Sequence, residues 1–232
     1  MASDTERGIS AVAAMDQPLR RDVYALLAEP GSWIGRDEAA EALAIPRSVA
    51  AFHLDKLVDA GLAEVRFERR TGRSGPGAGR PAKLYRRSSE EAAASVPERH
   101  YDLAGELMVR AIAASVRTGS AVDAALADVA RAAGREAGAE VAGEQDRRAA
   151  VLEALAAHGY EPVVRDDGEV VLRNCPFHRL AEEERPLVCG MNLDYLEGCL
   201  DGAGVAGDLT ARLAPEPGYC CVRLSERPGR AG

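Results

Sequence analysis

Five cysteines, Cys175, Cys189, Cys199, Cys220 and Cys221, all fall in the last quarter of a 232-residue chain. Soft thiolates drawn together from separate elements bind Zn2+ or an iron–sulfur cluster. The first residues, MASDTERG, lack the basic and apolar stretches of a secretory leader. No apolar run approaches the roughly 18–20 residues of a membrane span. A cytoplasmic location without a membrane partner is expected. There thiols serve as metal ligands, redox groups or core filler rather than as disulfides. Cys175 lies in the segment NCPFH, just past an expected strand. Cys189 sits near an expected helix start, where amides favour thiolate charge. Cys220 and Cys221 lie on the expected last strand. No paired CxxC is present, so spacing alone leaves metal binding and buried free thiols both open. His178, three positions after Cys175, is a further candidate ligand or donor to a sulfur. Cys199 is ten positions from Cys189, roughly 280° around a helix, and reads as core filler.

A second chemistry is carried by charge. The chain has a formal net charge of −8, yet residues 66–87 hold eight basic residues (Arg66, Arg69, Arg70, Arg73, Arg80, Lys83, Arg86 and Arg87) against Glu68 alone. From residue 89 onward 15 basic residues face 25 acidic ones. A basic patch on an acidic chain marks an anion-binding face, and double-stranded DNA is the polyanion it suits.

The elements around that patch are expected as follows. Residues 1–15 carry no strong signal and are expected to be partly mobile. A helix begins near Asp16, with Pro18 in its first turn and Leu19, Val23, Leu26 and Leu27 inward. A short helix over 36–43 and a turn containing Pro46 follow. Ser48 is expected to cap a third helix with Ala50, Leu54 and Leu57 inward, and Gly61 stops it. Strands at 62–67 and 83–87 flank an Arg/Gly/Pro loop. Three helices and a hairpin make a winged helix-turn-helix. The outward face of the third helix offers Ser48, Val49, Ala51 and Phe52 to base edges, and Arg47 and Lys56 to phosphates. Arg69, Arg70, Arg73, Arg80 and Lys83 of the wing are expected on the DNA backbone or in a narrow minor groove. His53 reads as a packing residue.

The second half reads as helices from about 97, 120 and 145, a hairpin turned at Asp166-Asp167-Gly168, a helix over 186–200, and strands at 209–213 and 219–224. On the last strand Cys220 shares parity with Val222 and Leu224 and faces the core, while Cys221 faces away. The stripe of Leu103, Leu107 and Ile112 is expected to be either a dimer face or an internal core. The fold class is thus α+β and mainly helical. Its expected parts are an N-terminal extension (1–15), a winged helix-turn-helix (16–88), a linker (89–96), a helical dimerisation region (97–160), a cysteine-containing α+β sensor domain (161–226) and a tail (227–232).

The stretch SVAAFHLDKLVDAGLAEV resembles the recognition helix and first wing strand of bacterial winged-helix repressors of the ArsR-like class. NCPFHRLAEE, LVCGMNLDYLEG and PGYCCVRL resemble the sensor half of the SufR-type iron–sulfur sensing repressors. That resemblance implies a homodimer on operator DNA, with the state of a 2Fe-2S or 4Fe-4S cluster controlling affinity. It makes Cys175 and Cys189 ligands. It favours Cys220 as the next, two residues before Val222, with Cys221 as second choice. Zn2+ or thiol redox chemistry on the same scaffold is the alternative. A cysteine enzyme using Cys175 or Cys189 with His178 or His158 as base would leave the basic wing unexplained, so no enzymatic activity is expected.

Overall fold

The computed structural model describes residues 4–28, 33–68 and 81–227. The chain forms two compact units, Met1–Ala94 and Ser95–Gly232. The fold is α+β and mainly helical.

The first unit contains α1 (Asp4–Ala14), α2 (Pro18–Leu26), β1 (Ile34–Gly35), α3 (Arg36–Ala42), α4 (Arg47–Asp59), β2 (Ala63–Glu68) and β3 (Ala82–Arg87). Leu54 and Leu57 of α4 pack with Val23, Leu27, Ala39 and Tyr85 into one core. The strands form an antiparallel sheet in the order β1-β3-β2, with Val65 opposite Tyr85. Between α3 and α4 the chain turns through Ala44, whose φ of 51° lies in the left-handed region. Gly61, at φ 73°, ends α4 in a conformation that glycine adopts without a Cβ clash.

Three sequence expectations are corrected here. Residues 4–14 form a helix, and Gly8, Ala11 and Ala14 turn one buried face of small residues inward. That face was hard to see because such side chains carry little hydrophobic signal. Ser48 does not cap α4, since Pro46 holds the N-cap position. The two-residue strand β1, too short to show alternation, adds to the wing through Ile34 opposite Tyr85.

The second unit contains α5 (Tyr101–Thr118), α6 (Val122–Ala139), α7 (Arg147–Ala157), β4 (Pro162–Val164), β5 (Val170–Leu172), α8 (His178–Glu183), α9 (Arg185–Gly202), β6 (Leu209–Leu213) and β7 (Val222–Glu226). Its antiparallel sheet runs β4-β5-β7-β6, with Val170 and Ala211 each opposite Leu224. Asp146 caps α7 by accepting from Ala149 N at 3.0 Å, and Gly168 makes the β4–β5 turn at φ 82°.

The closest helix contact is α6 on α9. A Cβ at Gly134 would overlap the carbonyl oxygen of Tyr195, and one at Gly138 that of Cys199. Reciprocally, a Cβ at Gly198 or Gly202 would overlap the carbonyl of Arg131 or Arg135. Four glycines, two per helix at four-residue spacing, let the backbones touch, a geometry suited to Cα–H···O contacts.

The stripe expected on α5 divides between two faces. Ala104, Leu107 and Ala111 are buried in the unit's own core. Ile112 points outward with Val109 and Val116, which are 52%, 67% and 81% exposed in that order. Two elements also depart from expectation. α8 was not anticipated, and β7 begins at Val222, three residues late, so Cys220 and Cys221 precede the strand. No helix among the described residues is long and apolar enough to cross a membrane.

Candidate functional site

In the first unit α4 presents the expected face. Arg47, Ser48, Phe52 and Lys56 are exposed, and Val49 and Ala51 are half-buried. Ser48, Phe52 and Lys56, spaced by four, share a side turned away from Leu54 and Leu57. Phe52 is 53% exposed and meets the ring of His53 edge-on at 5.2 Å. His53 itself is buried, its Nδ1 has no partner, and burial followed by the Arg20 charge holds its pKa below the usual histidine value. It packs, as expected, and does not reach the outer face.

The cations are less free than their number suggests. Arg47 pairs with Asp37, and Lys56 with Asp59 at 3.0 Å. Lys83 donates to Asp55 Oδ1 at 2.6 Å, as does the Tyr85 hydroxyl at 2.6 Å. Arg36 donates to Asp55 Oδ2 at 2.8 Å and to the Tyr85 hydroxyl oxygen at 2.9 Å. Asp55 thus ties the start of α3 and strand β3 to α4. Burial pushes its carboxyl up, but the bonds from Lys83 and Tyr85 and the charges of Lys83 and Arg36 outweigh that and hold it below the usual range. The guanidinium groups of Arg66 (4.4 Å) and Arg86 (4.7 Å) each lie over the Trp33 ring. Arg69, Arg70, Arg73 and Arg80 lie outside the described residues. The Asp55 hub was missed in the sequence, although a lone acid on the outward face of a recognition helix is a visible signal.

In the second unit four thiols gather from three elements. Cys175 lies in the loop after β5, Cys189 on the first turns of α9, and Cys220 and Cys221 just before β7. Cys175 and Cys220 lie near enough to shift each other's ionisation, as do Cys189 and Cys221. Charge interactions also couple Cys189 to Cys175 and Cys220 to Cys221. The neighbouring Cys220 thiol, helped by the Phe177 amide and Arg99 and opposed by burial, lowers Cys175 to about 7. Cys220 itself is held well up by the neighbouring Cys175 and by burial. Burial, with Cys221 and Cys175 nearby, pushes Cys189 up to about 12. Among the described residues no three His, Cys, Asp or Glu side chains are already arranged to hold a single metal ion. The thiols are neighbours by their mutual effect on ionisation and do not form a closed tetrahedron.

The backbone around the thiols is firmly held. Asn174 is buried and donates to Glu98 O at 2.9 Å and Gly159 O at 2.5 Å. Arg99 reaches Cys175 O at 3.3 Å, and His100 N donates to Pro176 O at 3.1 Å. Cys220 N donates to Leu172 O, and Ala214 N to Cys221 O, both at 2.8 Å. Because β7 begins at Val222, strand alternation does not turn Cys221 away, and it stands with Cys189. His178 is exposed and pairs with Glu182 at 3.3 Å rather than turning to the thiols. His158 engages Ala154 O at 2.7 Å. Cys199 is buried with Tyr195, and burial raises it to about 12.

A polar pair missed in the sequence completes the site. The Tyr160 hydroxyl donates to Asn192 Oδ1 at 2.6 Å, and Asn192 Nδ2 donates to Cys220 Sγ at 3.2 Å. Asn192 was detectable as a polar residue three positions after Cys189, on the same side of a mostly apolar helix.

Residues 15–66, spanning α2, α3, α4 and most of β2, match the family model of a helix-turn-helix domain. None of the curated proteins matches the chain, and no solved structure does. With the β2–β3 wing beside that domain, the chain is a winged-helix, DNA-binding regulator of transcription.

Proposed function

We propose that this regulator is a homodimeric repressor whose affinity for operator DNA is set by an iron–sulfur cluster held on Cys175, Cys189, Cys220 and Cys221. The observation that carries the reading is the meeting of four thiols from a loop, a helix and a strand entry. An all-thiol set is the donor chemistry of such clusters. When bound, the cluster supplies a redox-active, oxidant-sensitive centre. The chain's own residues do the rest. Asn174 and Arg99 fix the loop of Cys175. Cys189 rides on α9, which is locked to α6 by the glycine contact, so a displacement at the thiols is passed on through packed helices. The bias on DNA binding can be no larger than the differential affinity for the two arrangements. For the dimer, Gly105, Val109, Ile112 and Val116 follow a 4-3-4 spacing along the outer side of α5, the seam of a helix pair.

A second reading is a thiol redox switch on the same scaffold. It is favoured by the Cys175–Cys220 contact and the lowered pKa of Cys175. One experiment separates the two. Protein purified without oxygen is assayed for iron, sulfide and visible absorption, and its operator affinity is measured before and after chelation. The cluster reading expects iron and sulfide in the wild type, their loss in Cys175→Ser and Cys189→Ser, and a changed affinity on removal. Absence of iron and sulfide, with disulfides formed on peroxide treatment, establishes the second reading instead.

A further inference from the structure

We propose that Asn192, oriented by Tyr160, is the positioning residue of the thiol centre, donating an N–H···S hydrogen bond that fixes Cys220 and tunes whatever the four sulfurs hold. The inference rests on the reading of the four thiols as a ligand set.

Tyr160 and Asn192 are each 1% exposed, and Asn192 sits against a core whose buried members are otherwise Leu, Val, Ala, Phe, Met, Tyr and Cys. An apolar residue would fill position 192 without the cost of burying an amide. Both ends of that amide are instead used. Tyr160 donates to Oδ1, and Nδ2 donates to Cys220 Sγ. The hydroxyl has one proton to give. Given to Oδ1, it leaves the amide no choice but to turn its N–H groups toward the sulfur. Without that proton the amide is free to rotate and set its oxygen against the sulfur, where two acceptors repel. Tyr160 follows Gly159 at the end of α7, and Asn192 lies one turn beyond Cys189 on α9. The pair therefore links the Cys220 sulfur to the helix that carries Cys189.

A hydrogen bond to a ligand sulfur stabilises the more negative, reduced state of an iron–sulfur centre, so its removal lowers the reduction potential. The test uses the full chain reconstituted without oxygen from ferrous iron and sulfide, comparing wild type with Asn192→Leu and Tyr160→Phe. Iron and sulfide content, midpoint potential and the rate of iron loss to a chelator are read, with circular dichroism as the check on folding. Both variants are expected to retain stoichiometric iron but to show a lower potential. Iron loss should be about tenfold faster, with Tyr160→Phe shifted in the same direction as Asn192→Leu. Should Asn192→Leu fail to fold, Tyr160→Phe, which removes a single oxygen, decides alone. A wild type that holds iron and sulfide beside a Tyr160→Phe variant of unchanged potential and release rate overturns the inference and leaves the ligand set standing. A wild type that takes up neither iron nor sulfide overturns both.

Discussion

The two units handle polar groups in opposite ways. In the DNA-reading unit, the organising group is Asp55, whose side chain is 39% exposed and gathers Lys83, Tyr85 and Arg36 at the surface. In the thiol unit, the organising groups are Tyr160 and Asn192, fully inside, with a sulfur as their last acceptor. A reader of DNA must display charge to water and phosphate, so its geometry is held by ion pairs that water also weakens. A thiol centre must be shielded, so every polar group near it needs a partner within the protein. Single changes in the thiol unit should therefore cost more than changes at the reader's hub. The chain's one tryptophan, Trp33, lies in the reading unit and reports its unfolding separately.

The largest effect is expected at the α6–α9 contact. Gly134→Ala places a methyl group where the Tyr195 carbonyl now lies, and the helices must part. Overpacking of this kind costs about 3 kcal/mol. Calorimetry should show the thiol unit melting earlier, while the Trp33 fluorescence transition stays in place. A shift of both transitions together would show that the units unfold as one and would break the comparison.

What could be read from the sequence follows the same division. The reading unit announces itself because Leu54 and Leu57 repeat at helical spacing, Pro46 marks the turn and Gly61 the stop. All of these signals are local. In the thiol unit the helices and the Gly168 turn were legible for the same reason. The convergence of Cys175, Cys189, Cys220 and Cys221 was not, because it depends on pairing β5 with β7 and on seating α9 beside them. Cys221, the second choice, lies just before β7 and near enough to Cys189 to affect its ionisation. The glycine spacing on α6 and α9 was visible, but its meaning needed the partner helix. Lys83 shows the reverse failure: its charge was plain, and its engagement with Asp55 was not.

An intermediate effect is expected at Cys199. Its thiol is buried beside the glycine contact, and burial keeps it protonated near neutral pH. Cys199→Ala removes buried volume, at a cost of about 1–2 kcal/mol. The calorimetric transition of the thiol unit should fall accordingly, with iron and sulfide content as in the wild type. Loss of iron in this variant would add Cys199 to the ligand set.

The smallest effect is expected at the reader's hub, where the sign with pH is also defined. The Asp55 carboxyl is held below the usual range by Lys83, Tyr85 and Arg36 against the opposing effect of burial. A carboxylate depressed in the folded state contributes stability above its unfolded pKa, and loses it as pH falls through the folded value. Asp55→Asn should therefore cost about 0.5–1 kcal/mol near neutral pH, the modest figure that solvent screening leaves to a partly exposed cluster. The difference from wild type should shrink as pH falls below the ordinary carboxylate range through the depressed folded value and narrow in about 1 M salt. Urea unfolding followed by Trp33 fluorescence measures it. A loss of several kcal/mol at neutral pH, unaffected by salt, would show that Asp55 acts as a buried group. The contrast between a screened reader and a shielded thiol unit would then fail at the point where it is sharpest.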